Sequence, residues 1–153
     1  PDPETEEYPG KWPECVEVAS YNQQGLISRF SSRGPGGDVA APGEGITSTY
    51  LNGQVVRLSG TSMATPFVAG VVALLYSATG TAGKPSPDVV ANLLKRSARD
   101  IGEPGYDAAA GWGLLDPQKL FSVVQEPVPE LPIKDPLLSH TIFVFRDGSV
   151  KVS

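Results

Sequence analysis

The stretch Gly60-Thr61-Ser62-Met63-Ala64-Thr65-Pro66 runs directly into Phe67-Val68-Ala69-Gly70-Val71-Val72-Ala73-Leu74-Leu75, and no other feature limits the fold of this chain as strongly. A glycine turn, small hydroxyl residues and then a long apolar run predict a buried helix from about Ser62 to Ala78. Pro66 fits such a helix only in its first turn or so, where backbone N–H groups lack intrahelical acceptors. That start puts one serine where unpaired N–H groups and the positive end of the helix dipole stabilise negative charge developing beside its oxygen. Ser62 is therefore the nucleophile candidate. Taken by itself, the same serine also suits an ordinary helix start.

Around this helix the chain is punctuated into short elements. The opening to Pro13, rich in proline and acidic residues, reads as a surface loop. Cys15–Ala19 reads as a short strand, and Val39–Ala41, bracketed by Gly36-Gly37 and Pro42-Gly43, as a buried one. Ile46–Tyr50 and Val55–Leu58 flank Asn52-Gly53, the signature of a two-residue hairpin turn. A second helix starts at Ser86, with Pro87 in the first helical position, Asp88 suited to the dipole, and Val89, Val90, Leu93 and Leu94 at helical spacing. A third, short helix follows Asp116-Pro117 through about Val124 by the same cap logic.

From Gln125 the character changes, with four prolines between Pro127 and Pro136 favouring an extended linker. Thr141–Phe145 and Ser149–Val152, joined by Arg146-Asp147-Gly148, read as a β-hairpin too small to be stable alone. The expected organisation is one domain over 1–124, a linker over 125–138, and a hairpin tail or the start of a further domain over 139–153.

Composition excludes several classes of function. A chain of 153 residues with net charge −5 and scattered basic residues is not built to bind nucleic-acid phosphates, which needs clustered Lys and Arg. The apolar run Phe67–Tyr76 is about half a membrane span and contains Gly70. Cys15 is the only cysteine, so no intrachain disulfide or cysteine-based zinc site can form; among strand-forming residues it reads as a buried, inert thiol.

The Gly60–Pro66 heptapeptide resembles the segment around the catalytic serine of the subtilisin-like serine proteases (subtilases, peptidase S8). Tyr8–Pro13, Phe30–Pro35, Asp38–Gly43 and Gly111–Asp116 resemble further blocks of that family in the family order, so that the resemblance covers roughly Tyr8 to Val124. It implies an α/β, three-layer fold with a mostly parallel sheet, of which this chain is the C-terminal half. It also implies a serine endopeptidase acting on polypeptide substrates through an acyl-enzyme. The triad of that family runs Asp, His, Ser along the chain, and only the last has a counterpart, Ser62; Thr61 and Met63 shape the turn around it.

The family's aspartate, histidine and oxyanion-hole asparagine belong to blocks before Tyr8. The expected partner is therefore an N-terminal half, in the same precursor or as an associated chain, without which this chain is inactive. The alternative is a non-catalytic binding or structural remnant in which the serine block persists for packing. His140, the only histidine, lies behind the linker and on the wrong side of Ser62 in chain order to be the base. Phe67 takes a place where many members carry a packing histidine.

No cofactor is required; the resemblance allows a structural Ca2+ or monovalent cation, with Asp38 as candidate ligand, against a reading in which Asp38 serves the turn. Trp12, Tyr106 and Trp112 are expected to pack, with Trp12 near the floor of a substrate cleft, and Asp107 to serve as a loop or cap residue. A secreted location is usual for the family, whereas the acidic lead into Tyr8 is similar to intracellular bacterial members.

Overall fold

The computed structural model describes residues 8–34, 36–80 and 83–125, and the backbone of 142–144 and 150–152. Two short strands, β1 (Val18–Tyr21) and β2 (Val39–Pro42), lie parallel with Val18 opposite Val39 and Tyr21 opposite Pro42. On the far side of β2 the chain returns at Leu114: Ala40 N–H donates to Gly113 O and Leu115 N–H donates to Ala40 O. Side chains of a strand alternate between its two faces. Val39 and Ala41 accordingly join one core, and Ala19 and Ala40 join another with Ala110 and Leu114.

Three helices build the first core: α1 (Thr61–Thr79), α2 (Pro87–Ser97) and α3 (Pro117–Gln125). Ala64, Val68, Val71 and Leu75 of α1 meet Val90 and Leu94 of α2 and Leu120 of α3. Helices on one face of a parallel pair and a second apolar cluster on the other give the α/β layering expected.

Both shorter helices start as their sequences predict. Ser86 Oγ accepts from Val89 N–H at 3.4 Å, with Pro87 behind it. An Asp116 oxygen accepts from Lys119 N–H at 2.9 Å.

The differences from expectation each have a local cause. β1 begins at Val18 rather than Cys15 because the Cys15 amide closes a turn onto Trp12 O, and the Glu17 carbonyl is where pairing with the β2 side starts. β3 (Ile46–Thr49) and β4 (Val55–Leu58) form the predicted antiparallel hairpin. Its connection is wider than two residues: Leu51–Gly53 make a 3-10 turn with Asn52 and Gly53 both at positive φ. Those are the two residues in the loop best able to adopt that conformation.

The helix predicted as buried is buried on one side only. Phe67 is 44% and Leu74 61% exposed, on the flank of α1 about a quarter-turn from the stripe that packs on the sheet, since within this chain β1, β2 and the other helices do not reach that flank. At the far end, β5 (Ile142–Val144) and β6 (Val150–Val152) pair antiparallel with Ile142 opposite Val152. The linker beyond Gln125 and His140 lie outside the described residues.

Candidate active site

The turn that carries Ser62 is set on the carboxyl end of β2. Gly43 directly follows that strand, and Gly60 N–H donates to Gly43 O at 2.8 Å. Gly60 caps α1 with extended backbone, and its carbonyl accepts from Met63 N–H at 3.0 Å and Ala64 N–H at 3.3 Å. Thr61 and Ser62 are then the first two helical residues, whose N–H groups precede any intrahelical acceptor. Ala64 is fully buried beneath them, so the turn is anchored from below while Ser62 stays exposed.

The arrangement presents a serine oxygen beside its own backbone N–H at a positive helix end, above the carboxyl edge of a parallel pair. Open α/β sheets place reactive groups at that edge.

Pro66 stands deeper in α1 than its sequence reading required. It is the sixth residue of the helix, so the N–H it lacks is the one that would have bonded to the Ser62 carbonyl. Thr65 Oγ1 meanwhile donates back to Thr61 O at 3.0 Å. The first turn is thus closed onto the Gly60 carbonyl and braced by the Thr65 hydroxyl.

Ser62 Oγ has no hydrogen-bond partner among the described residues, and no histidine is among them. A cavity of about 460 Å³ lies next to the turn, between Cys15–Ala19 of the β1 region and Thr61 and Thr65 of α1. Glu17 O and Tyr21 O accept from the β2 side, whereas Ser20 N–H and C=O are engaged on the opposite side. The alternation therefore turns the backbone N–H and C=O of Val18 toward the outer edge of β1, where this cavity runs.

Asp38, the candidate cation ligand, is engaged by protein groups. One carboxylate oxygen is 2.7 Å from Lys95 Nζ and the other accepts from Glu17 N–H at 2.8 Å. Among the described residues no group of three or more His, Cys, Asp or Glu side chains converges as a metal site. In the observed contacts Asp38 ties the start of β2 to α2 through the Lys95 ammonium.

The aromatic residues expected to pack do so in pairs while staying partly open. Trp12 meets Tyr8 edge-on and Trp112 meets Tyr106, whose hydroxyl donates to Gly34 O at 3.0 Å. Asp107 is the predicted loop residue, one oxygen accepting from the N–H groups of Ala109 and Ala110. Cys15 is half-buried on the cavity wall. Tyr21, at the end of β1, has its phenol pushed above the ordinary value by burial, with Arg99 opposing and Asp116 adding to the shift. Sequence reading did not single out Gly43 or the buried serines behind it; the stretch read as a strand, Cys15–Ala19, stops before Ser20, which the structure places inside β1.

A model of the subtilase family matches residues 1–113. The chain belongs to the subtilase family. Thermitase of Thermoactinomyces vulgaris is 51% identical over 70 residues, covering 46% of this chain and 25% of thermitase. The cell wall-associated protease of Bacillus subtilis (strain 168) is 32% identical over 94% of this chain and 18% of its own length. Among solved structures, the prenylagaramide maturation protease PagA superposes with a TM-score of 0.68 at 34% identity, over 75% of this chain and 44% of PagA. The chain thus corresponds to about a quarter or less of these two curated relatives and under half of this structural neighbour. The subtilisin-like α/β fold expected from the sequence is the fold found, and the chain is a portion of a subtilisin-like serine protease domain.

Proposed function

We propose that this subtilase chain supplies the nucleophile half of a serine endopeptidase, with Ser62 Oγ attacking the scissile carbonyl of a polypeptide. The observation that carries the reading is the seating of Ser62 at the start of α1 on the carboxyl end of β2. A histidine from an upstream half takes the Oγ proton and returns it to the leaving amine; water then hydrolyses the acyl-enzyme. An aspartate from that half orients the histidine, and the Ser62 N–H shares the oxyanion with an asparagine side chain. Acyl transfer by this route needs no metal or cofactor.

The upstream half as partner is supported by two open surfaces on this chain. The outer edge of β1 offers the backbone groups of Val18 to a further strand, and α1 turns Phe67 and Leu74 outward. Without the partner's base, residual acceleration of only about 10³–10⁴ over water from binding and the oxyanion site remains, so the isolated chain is expected to be inactive.

The test is reconstitution. A folded complex of this chain with the N-terminal half of a subtilase is treated with a fluorophosphonate, and the expected result is labelling that disappears in Ser62→Ala. A folded complex that stays unlabelled would refute the reading and favour a binding or structural remnant.

A further inference from the structure

Behind the nucleophile turn lies a cluster of three serines, Ser20, Ser28 and Ser31, that are 0%, 1% and 2% exposed. Burying a hydroxyl is unfavourable unless it is hydrogen-bonded, and here the bonds form a connected set. Ser20 Oγ is 2.8 Å from Ser28 Oγ, and Ser20 N–H donates to Ser31 Oγ at 3.0 Å. Along the backbone, Ser28 N–H donates to Ser20 O at 2.8 Å and Ser31 N–H to Ser28 O at 3.0 Å. Residues 28–31 are in this way clamped onto the outer side of β1, and the Ser20 side chain is held by a hydroxyl partner.

On its other side Ser20 meets Gly43. A Cβ on Gly43 would collide with Ser20 Oγ, lie 3.0 Å from Ser20 Cβ and fall 2.7 Å from Gly60 O. Gly43 is thus the thinnest spacer a chain can offer between the Ser20 side chain and the Gly60 carbonyl. That carbonyl receives the first N–H groups of α1, and Gly60 N–H is bonded to Gly43 O. The order of contact is Ser28, Ser20, Gly43, Gly60 and then the first turn of α1 with Ser62.

We propose that the buried Ser20–Ser28 hydroxyl pair is a positioning element for the nucleophile, setting through Gly43 where the Gly60 carbonyl and hence Ser62 Oγ stand at the sheet end. The role rests on Ser62 acting as nucleophile. It is a demand of geometry rather than of stability: attack requires reacting atoms about 3–3.5 Å apart, and a misplacement of about 1 Å lowers the rate roughly 10²-fold.

The test uses the catalytic domain completed by an upstream subtilase half and compares Ser28→Ala with the double variant Ser20→Ala/Ser28→Ala. Removing one hydroxyl leaves the other buried without its partner, whereas removing both is nearly neutral in stability. The expected result is about a tenfold fall in the rate of Ser62 labelling by fluorophosphonate and in kcat on a peptide ester for both variants, with KM unchanged. The melting temperature recovers in the double variant while the rate does not.

A Ser28→Thr variant, which keeps the hydroxyl, is expected to retain most of the rate. Recovery of rate together with stability in the double variant, or a folded double variant within about twofold of the parent, would overturn the positioning role and leave Ser62 as nucleophile untouched. A folded parent domain that is not labelled at all would instead remove the nucleophile reading, and the positioning role with it.

Discussion

Replacing Lys95 by methionine removes the ammonium from Asp38 while keeping most of the aliphatic volume, and it asks how much the tie between β2 and α2 contributes. The Asp38 side chain is 12% exposed and the Lys95 side chain 33%. Breaking a fully buried pair by deleting one partner costs about 3–5 kcal/mol, because the remaining charge is left uncompensated. A pair one-third open on the lysine side loses less, since water replaces part of the ammonium's effect. The Glu17 N–H at 2.8 Å also stays to stabilise the carboxylate. The expected loss for Lys95→Met is therefore about 2–3 kcal/mol near neutral pH, or roughly 5–10 °C in a domain of this family's size.

Denaturant unfolding of the reconstituted domain measures it. Asp38→Asn/Lys95→Met is expected to recover about 2 kcal/mol of the loss, because a neutral amide still accepts from Glu17 and leaves no unpaired charge. A single variant within about 0.5 kcal/mol of the parent, or a double variant no more stable than Lys95→Met, would refute this account of Asp38.

The same contacts lead to three further expected outcomes. The isolated chain is expected to aggregate through the open face of α1, and Phe67→Gln/Leu74→Gln to reduce light scattering on refolding; a cooperative, monomeric melt of the unmodified chain would contradict this. Burial raises the Tyr21 phenol above its ordinary value of 10.0, so the folded state holds that proton more tightly than the unfolded chain. Its contribution is complete below pH 10 and is lost as pH rises through the raised value, and Tyr21→Phe is expected to flatten the alkaline limb of a stability–pH curve. Ser86→Ala is expected to cost about 0.5–1 kcal/mol, the low end for a lost N-cap, because the cap bond is long at 3.4 Å; equilibrium unfolding reads it, and no loss would show that Pro87 alone sets the start of α2.

What the sequence determined by itself was local. Gly60–Pro66 before an apolar run specifies a helix start with a serine in it, and Ser86-Pro87-Asp88 and Asp116-Pro117 specify two more, because caps and proline act through groups only a few residues apart. Asn52-Gly53 marked the hairpin for the same reason, although the width of its loop was set by how Thr49 pairs with Val55. The ordered blocks also pointed to the subtilase family, whose fold the chain adopts.

Tertiary structure decided what each of those pieces meets. Asp38 finds Lys95 across a gap of 57 positions in the chain (95 minus 38). Pro66 sits where it withholds a donor from Ser62 O. Ser20, ordinary in a strand, becomes the wall against which Gly43 and the turn at Gly60 are seated. None of these contacts follows from spacing, because a side chain's partner across the fold depends on how β1, β2 and α1 pack. The serine at the start of α1 could be read from seven residues; the platform that holds it required the whole of the described fold.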